Sequence, residues 1–262
     1  MPRSSFWILV CAAVLMCGCA SAPGRQDPLE PMNRRIYAFN HAVDRAVLRP
    51  VARGYAKVVP GVARRGVTNF FRNIGMIVTI FNDALQLKGE KVPVDMARFA
   101  TNAVFGLGGL IDVATELDIE YRDEDFGQTL GYWGVDSGPY LVLPFLGPSS
   151  LRDGPALAVD YVVSPFHWGL EDHHDAGWAL FGLNAVNTRA NLLTLDNVLA
   201  QQIDPYAFLR DTYLQRREYL IHDGNPPKPR AAPDAARPKS LREIEEEEFG
   251  DEPVSAPAQQ SP

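Results

Sequence analysis

Val67–Leu85 reads VTNFFRNIGMIVTIFNDAL, and the spacing of its apolar residues decides the fold class. Val67, Phe70, Ile74, Ile77, Val78, Phe81 and Leu85 recur at helical steps and share one stripe. Phe71, Met76 and Ile80 lie off that stripe, so the segment is apolar over more than half of its circumference. A helix of this kind is either central to a core or turned towards lipid. The same period recurs on both sides of it. Ile36, Phe39, Val43 and Val47 mark one face of a helix that Pro50 is expected to stop, and Val51, Tyr55, Val58 and Val59 follow before Pro60. Val94–Phe105, Pro155–Val163, His174–Leu193 and Pro205–Leu220 read as further helices, and there is no internal repeat. The expected fold is all-α, made of short helices broken by Pro and Gly.

One segment departs from the helical period. Phe126–Pro148, FGQTLGYWGVDSGPYLVLPFLGP, is punctuated by glycine and proline and rich in aromatic residues. Tyr140–Leu143 is a short apolar run bounded by prolines, which predicts an extended piece and one arm of a hairpin. Such a loop is either a flap covering the core or an apolar wall for a greasy ligand. For the second role the candidates are Tyr132, Trp133, Tyr140, Leu141, Leu143, Phe145 and Leu146.

The two ends carry different signals. Arg3 followed by the apolar run Phe6–Met16 resembles a signal peptide, too short for a membrane-spanning helix, which needs about 20 residues. Residues 1–18 are thus expected to be cleaved. Cys19, within Met16-Cys17-Gly18-Cys19, resembles the lipobox cysteine of bacterial lipoproteins, with Met16 where that box usually carries Leu. Acylation there would anchor the chain, since two or more acyl chains hold a protein stably at about 0.8 kcal/mol per methylene. Ala20 in place of Asp points to the outer membrane under the lipoprotein sorting rule. Residues 19–30 then form a lipidated linker and residues 31–223 the helical domain. Residues 224–262, rich in Pro and Ala and holding the acidic run Glu243–Glu248, read as a disordered acidic tail.

Charge is distributed unevenly over the 262 residues, whose net formal charge is −7. Arg25–Arg98 holds 13 basic and 6 acidic residues, whereas the chain from Thr101 onward holds 11 basic and 26 acidic ones. Overall acidity argues against a nucleic-acid binder. A basic first third joined to a lipid anchor fits a face against anionic headgroups, with Arg49, Arg53, Arg64 and Arg65 as candidates for steering phosphate.

Motifs for chemistry are missing. There is no G-x-S-x-G elbow, no H-E-x-x-H and no P-loop, and Phe105–Asp112 has glycines at the wrong spacing for a dinucleotide fingerprint and reads as a helix-breaking hinge. The three cysteines, Cys11, Cys17 and Cys19, all lie in the first twenty residues, which leaves no disulfide framework or thiolate metal site for the body. Glu171-Asp172-His173-His174-Asp175 is the one tempting cluster, but neighbouring residues on a helix point about 100° apart and do not converge on an ion. An acidic helix start accounts for it. Neither an enzyme, a metal nor a cofactor is expected.

Asp27-Pro-Leu-Glu-Pro-Met-Asn-Arg-Arg-Ile-Tyr-Ala-Phe-Asn40 resembles the opening of the VacJ family of outer-membrane lipoproteins, also called MlaA. The resemblance continues through Arg49-Pro50, Asn69-Phe70, Asn82–Gln86, Arg98-Phe99, Asn102 and Gly106–Ala114. Its most specific part is the glycine loop, followed by Arg152-Asp153 and Asp204-Pro205-Tyr206. Many relatives carry an acidic residue and a proline near Gly75-Met76-Ile77; here an uninterrupted helix is expected instead. The likeness implies a ring-like domain of mostly membrane-embedded helices around an amphipathic channel. It also implies removal of mislocalised phospholipid from the outer leaflet and its delivery to a soluble periplasmic carrier, with a trimeric porin as outer-membrane partner. That would keep the membrane asymmetric. Two other readings remain: a structural envelope lipoprotein that braces porins without moving lipid, and a periplasmic lipid hydrolase using Asp172, His173 or His174, which lacks a nucleophile motif.

Overall fold

The computed structural model describes residues 27–170 and 173–227. The signal peptide, Cys19, the acidic tail beyond Pro227, and Glu171 and Asp172 lie outside the described residues. Among the described residues the fold is all-α apart from one two-stranded hairpin.

The first helical rod runs further than expected. Helix α1 (Glu30–Val43) passes through a π-helical turn (Asp44–Leu48) directly into α2 (Arg49–Val58), so Pro50 does not stop it. Proline lacks an N–H and crowds the carbonyl four residues back. The wider turn, closed by the Arg49 N–H donating to the Asp44 carbonyl, accommodates it at the start of α2.

Helix α3 (Gly61–Leu85) follows the Pro60 elbow and is unbroken over 25 residues, through Gly75-Met76-Ile77. It ends with Leu87 in the left-handed region, the Lys88 N–H bonding the Asp83 carbonyl and the Leu87 N–H that of Ala84. Helix α4 (Lys91–Val104) packs against it. The buried side of each helix is polar: Asn73, Thr79, Asn82 and Asp83 on α3, with Met76 among them, and Asp95, Arg98 and Asn102 on α4. The wide apolar stripe of α3 is therefore not the part most deeply buried.

After α4 the chain reverses through Leu107, Gly108 and Gly109, all at positive φ. A Cβ on Gly109 would stand 2.5 Å from that of Asn73, so only glycine permits this approach. Short helices follow at Val113–Glu116 (α5) and Phe126–Tyr132 (α6), each started by an aspartate whose side chain accepts from a backbone N–H. The glycine-rich segment is thus helical in its first third.

Strands β1 (Tyr140–Leu143) and β2 (Gly147–Ser150) form the antiparallel hairpin, with Tyr140 opposite Ser150 and Leu143 opposite Gly147. Helices α7 (Asp153–Val163), α8 (Pro165–Trp168), α9 (His174–Asn191), α10 (Asp196–Ala200) and α11 (Pro205–Ile221) complete the order. The buried apolar cluster is small: Tyr140, Val142 and Tyr206, flanked by Ile36, Tyr37, Tyr213 and Leu214.

Candidate functional site

Burial in this protein is inverted relative to a water-soluble domain. Among the described residues, eighteen polar or charged residues are buried against eight apolar ones, three of which are aromatic or aliphatic beyond alanine and methionine. Large apolar side chains instead lie on the surface along nearly every element, from Phe39 and Val58 to Trp178 and Ile203. In water this would be costly at about 25 cal/mol per Å² of apolar surface. It becomes favourable where the surroundings are hydrocarbon. No helix of the described residues is long and apolar enough to cross a membrane.

Many of the buried polar groups bond one another. Gln86 bonds Glu124 and Thr129, Thr129 bonds Asn82, and Asn82 bonds Asp160, which accepts from the Phe126 N–H that opens α6. Arg98 grips Asp112 with two bonds of 2.7 and 2.8 Å, and Asn102 bonds the same carboxylate and the Ala114 N–H. Arg217 reaches from α11 to Asp125 and Asp153. Burial pushes both of those carboxyls up, but the bonds and charge of Arg217 with the Gln128 bonds at Asp125, and Arg152, Arg217 and Tyr213 at Asp153, together outweigh it, so both end below the usual range. Asp83 and Asp95 face each other with Arg122 alongside, 2.7 Å from Asp95 and 4.0 Å from Asp83. Burial, then the hydrogen bond to Asp95, pushes Asp83 up to about 7, so Asp83 holds its proton well above the normal carboxylate range.

The hairpin tip carries the most exposed aromatic surface that the sequence singled out. Phe145, 73% exposed and at φ +65°, meets the ring of Phe39 edge to face at 5.3 Å. Leu146 is exposed beside it in sequence, as are Tyr132 and Trp133 at the end of α6. The Trp133 indole N–H donates to the Leu85 carbonyl at 3.1 Å, so its one polar atom is satisfied. Lys88 lies over the Tyr132 ring at 5.7 Å.

Three of the seven candidate wall residues, Tyr140, Leu141 and Leu143, lie on β1. Tyr140, only 1% exposed, sits in the buried apolar cluster and presents no surface in this structure. Alternation sends Tyr140 and Val142 inward and leaves Leu141 and Leu143 half-buried on the other side. The four candidate arginines separate too. Arg49 is engaged by Asp44 at 3.3 Å and Asp196 at 3.5 Å, in a cluster completed by Arg189. That cluster ties the π turn to α9 and α10. Arg64 is half-buried, whereas Arg53 and Arg65 are exposed. Sequence reasoning missed the Asp44–Arg189–Asp196 cluster and the Asp83–Asp95 pair; the resemblance included Asp83, but nothing in the spacing joined it to Asp95. No group of three or more His, Cys, Asp or Glu among the described residues is arranged to hold a metal.

Comparison with known proteins agrees over most of the chain. The family model described as MlaA lipoprotein matches residues 25–220. The intermembrane phospholipid transport system lipoprotein MlaA of Escherichia coli K12 is 37% identical over 248 residues, covering 91% of this chain and 97% of that protein. The protein of the same name from Haemophilus influenzae is 35% identical over 238 residues, covering 86% and 93%. A solved structure reported as "Structural basis for maintenance of bacterial outer membrane lipid asymmetry" superposes with a TM-score of 0.66 at 34% identity, covering 75% of this chain and all of that one.

Proposed function

Since the chain belongs to the MlaA lipoprotein family, we propose that it is an outer-membrane phospholipid transporter, not an enzyme. It takes mislocalised phospholipid from the outer leaflet through an amphipathic path and passes it to a soluble periplasmic carrier, which preserves lipid asymmetry. The anchor is Cys19, on the periplasmic side, and a trimeric porin is the outer-membrane partner. The helices lie as a ring in the inner leaflet.

One observation carries this reading: polar groups are inside and large apolar groups outside. A leaflet supplies hydrocarbon for the outer surface, and backbone and side-chain polar groups must then pair internally. A phospholipid path also needs an apolar lane for tails beside a polar lane for the headgroup. Phe145, Leu146, Tyr132 and Trp133, with Leu141 and Leu143 behind them, supply apolar surface. Arg53 and Arg65 are the exposed cations of the steering set. A porin brace alone would not need this apolar tip.

The test is mass spectrometry of lipids retained by the full-length protein purified in mild detergent with no added lipid. Stoichiometric intact phospholipid is expected, and it should be lost in the double variant Phe145→Asp/Leu146→Asp. Both side chains are exposed, so the fold should survive the change. Absence of lipid, or equal lipid in both proteins, would leave only the brace.

A further inference from the structure

The π turn, α2 and, after the Pro60 elbow, the first turns of α3 carry exposed cations and valines close together in sequence. Ala52 marks the buried side of α2. Arg53 and Lys57, one turn apart, are exposed on one shoulder, and Val51 and Val58, two turns apart, on the other. Arg45 and Val47 in the π turn, and Val62 and Arg65 beyond Pro60, are exposed as well. Val58 is 80% exposed and Val62 72%.

We infer that this surface, Arg45 to Arg65, docks on anionic phospholipid headgroups, so that the protein gathers anionic lipid ahead of zwitterionic lipid. The inference rests on the lipid-handling reading and adds a headgroup preference to it. The arginines facing inward here, Arg49 and Arg189, are already matched by Asp44 and Asp196. Those facing outward are not. Among the described residues Arg45, Lys57 and Arg65 have no carboxylate within 4 Å, and Arg53 reaches only Asp196, at 4.0 Å. Unspent positive charge calls for an anionic surface. The valine shoulder selects lipid over an acidic protein. Long cationic side chains reach to phosphates while adjacent apolar groups enter the acyl boundary, and a purely acidic protein face would leave the valines in water.

The experiment uses the full-length protein in mixed micelles holding equal phosphatidylglycerol and phosphatidylethanolamine, with retained lipid resolved by headgroup. About fivefold enrichment of phosphatidylglycerol is expected at low salt. It should fall to parity in high salt and in the variant Arg45→Gln/Arg53→Gln/Lys57→Gln/Arg65→Gln. Replacing the three arginines by lysine keeps the charge and should keep the enrichment, which separates charge from folding. Retention of equal total lipid without headgroup bias overturns this inference and leaves the transport reading standing. Retention of no lipid at all overturns both. A surface that captures polyglutamate but shows no headgroup bias belongs to an acidic protein, and the lipid assignment falls.

Discussion

Asn33 and Asn40 stand seven residues apart on α1, and their side-chain amides hold the two ends of the same strand. Asn33 donates to the Tyr140 carbonyl and accepts from the Val142 N–H, both at 2.9 Å. Asn40 donates to the Leu143 carbonyl at 2.9 Å and accepts from the Phe145 N–H at 2.8 Å. Each amide thus stands in for a residue of a neighbouring strand, so α1 substitutes for a third strand along the free edge of β1. Seven residues are two helical turns, which put both amides on one side of α1.

Replacing these asparagines should have unequal effects. Asn33 is fully buried and also bonds Asp27, whose other oxygen accepts from the Tyr206 hydroxyl. Asn33→Ala leaves buried backbone groups and a carboxylate short of partners, for a loss of about 3 kcal/mol. Asn40 serves the half-open tip, and Asn40→Ala should cost about 1 kcal/mol. Denaturant melts give the two costs, and hydrogen exchange at Phe145 should speed up in Asn40→Ala with Val142 unchanged. Unchanged exchange at Phe145 in Asn40→Ala would mean that the tip is held by something other than the amide.

Asp83, buried beside Asp95, gives stability a dependence on pH opposite to that of most carboxylates. In the unfolded chain Asp83 titrates near its ordinary 3.8, and in the folded protein at about 7. Between these values the folded state holds a proton that the unfolded state has released, so this contribution is complete below about 4 and lost as pH rises through about 7. Asp160, raised to about 6 by burial, acts in the same direction. Asp83→Asn mimics the protonated form. Relative to the parent protein it should gain thermal stability at pH 8 compared with pH 5. A constant difference between the two melting temperatures would show that Asp83 does not retain the proton.

Arg217 is the cation that closes α11 onto α6 and α7, and it is mostly buried. Arg217→Met leaves Asp153 with Arg152 and Tyr213 but leaves Asp125 without a cationic partner. Removing one member of a fully buried pair costs about 3–5 kcal/mol, and because Asp125 is about a third open to solvent the expected loss here is about 2 kcal/mol. An unfolding free energy from denaturant melts that is unchanged in Arg217→Met would mean that the pair does not hold the junction. Gly127 reports on the same junction, because a Cβ there would stand 2.5 Å from Asp153 Oδ1 and 2.7 Å from Arg217 Nη2.

That glycine also shows why part of the fold was hidden in the sequence. The long helices were legible, since their apolar spacing and end signals, such as Asp204 before Pro205, agree with one another. Helix α6 was not, because Gly127 and Gly131 read as breakers. They are there to admit side chains from Arg217, Arg152 and Ile221 against the helix. Pro50 misled for a related reason: a π turn absorbed a residue that would break an ordinary helix. The deeper difference concerns which side is buried. A stripe of apolar residues in α3 was visible, but the side most fully buried is Asn73, Thr79, Asn82 and Asp83. Hydrophobic period marks a face without saying whether water or hydrocarbon lies beyond the molecule. For the site, the exposed aromatic tip was legible as a glycine-rich loop, whereas the burial of Tyr140 depended on a pleat register that the sequence left open.

Phe145 offers a way to separate stability from lipid handling. It sits at φ +65°, where a non-glycine residue costs about 1 kcal/mol, and its ring makes an edge-to-face contact with Phe39. Phe145→Gly removes the strain and the ring together, and an aromatic pair contributes about 1 kcal/mol, so the two changes nearly cancel. The backbone N–H still donates to Asn40. The melting temperature should therefore stay close to that of the parent. Retained phospholipid should fall, because the exposed ring is the largest apolar group at the tip. Phe39→Ala removes the same ring contact with the strain left in place, and it should lower the melting temperature. If Phe145→Gly destabilised the protein as much as Phe39→Ala, the strain would be absent from the native tip. If it left lipid retention unchanged, the tip would not belong to the path.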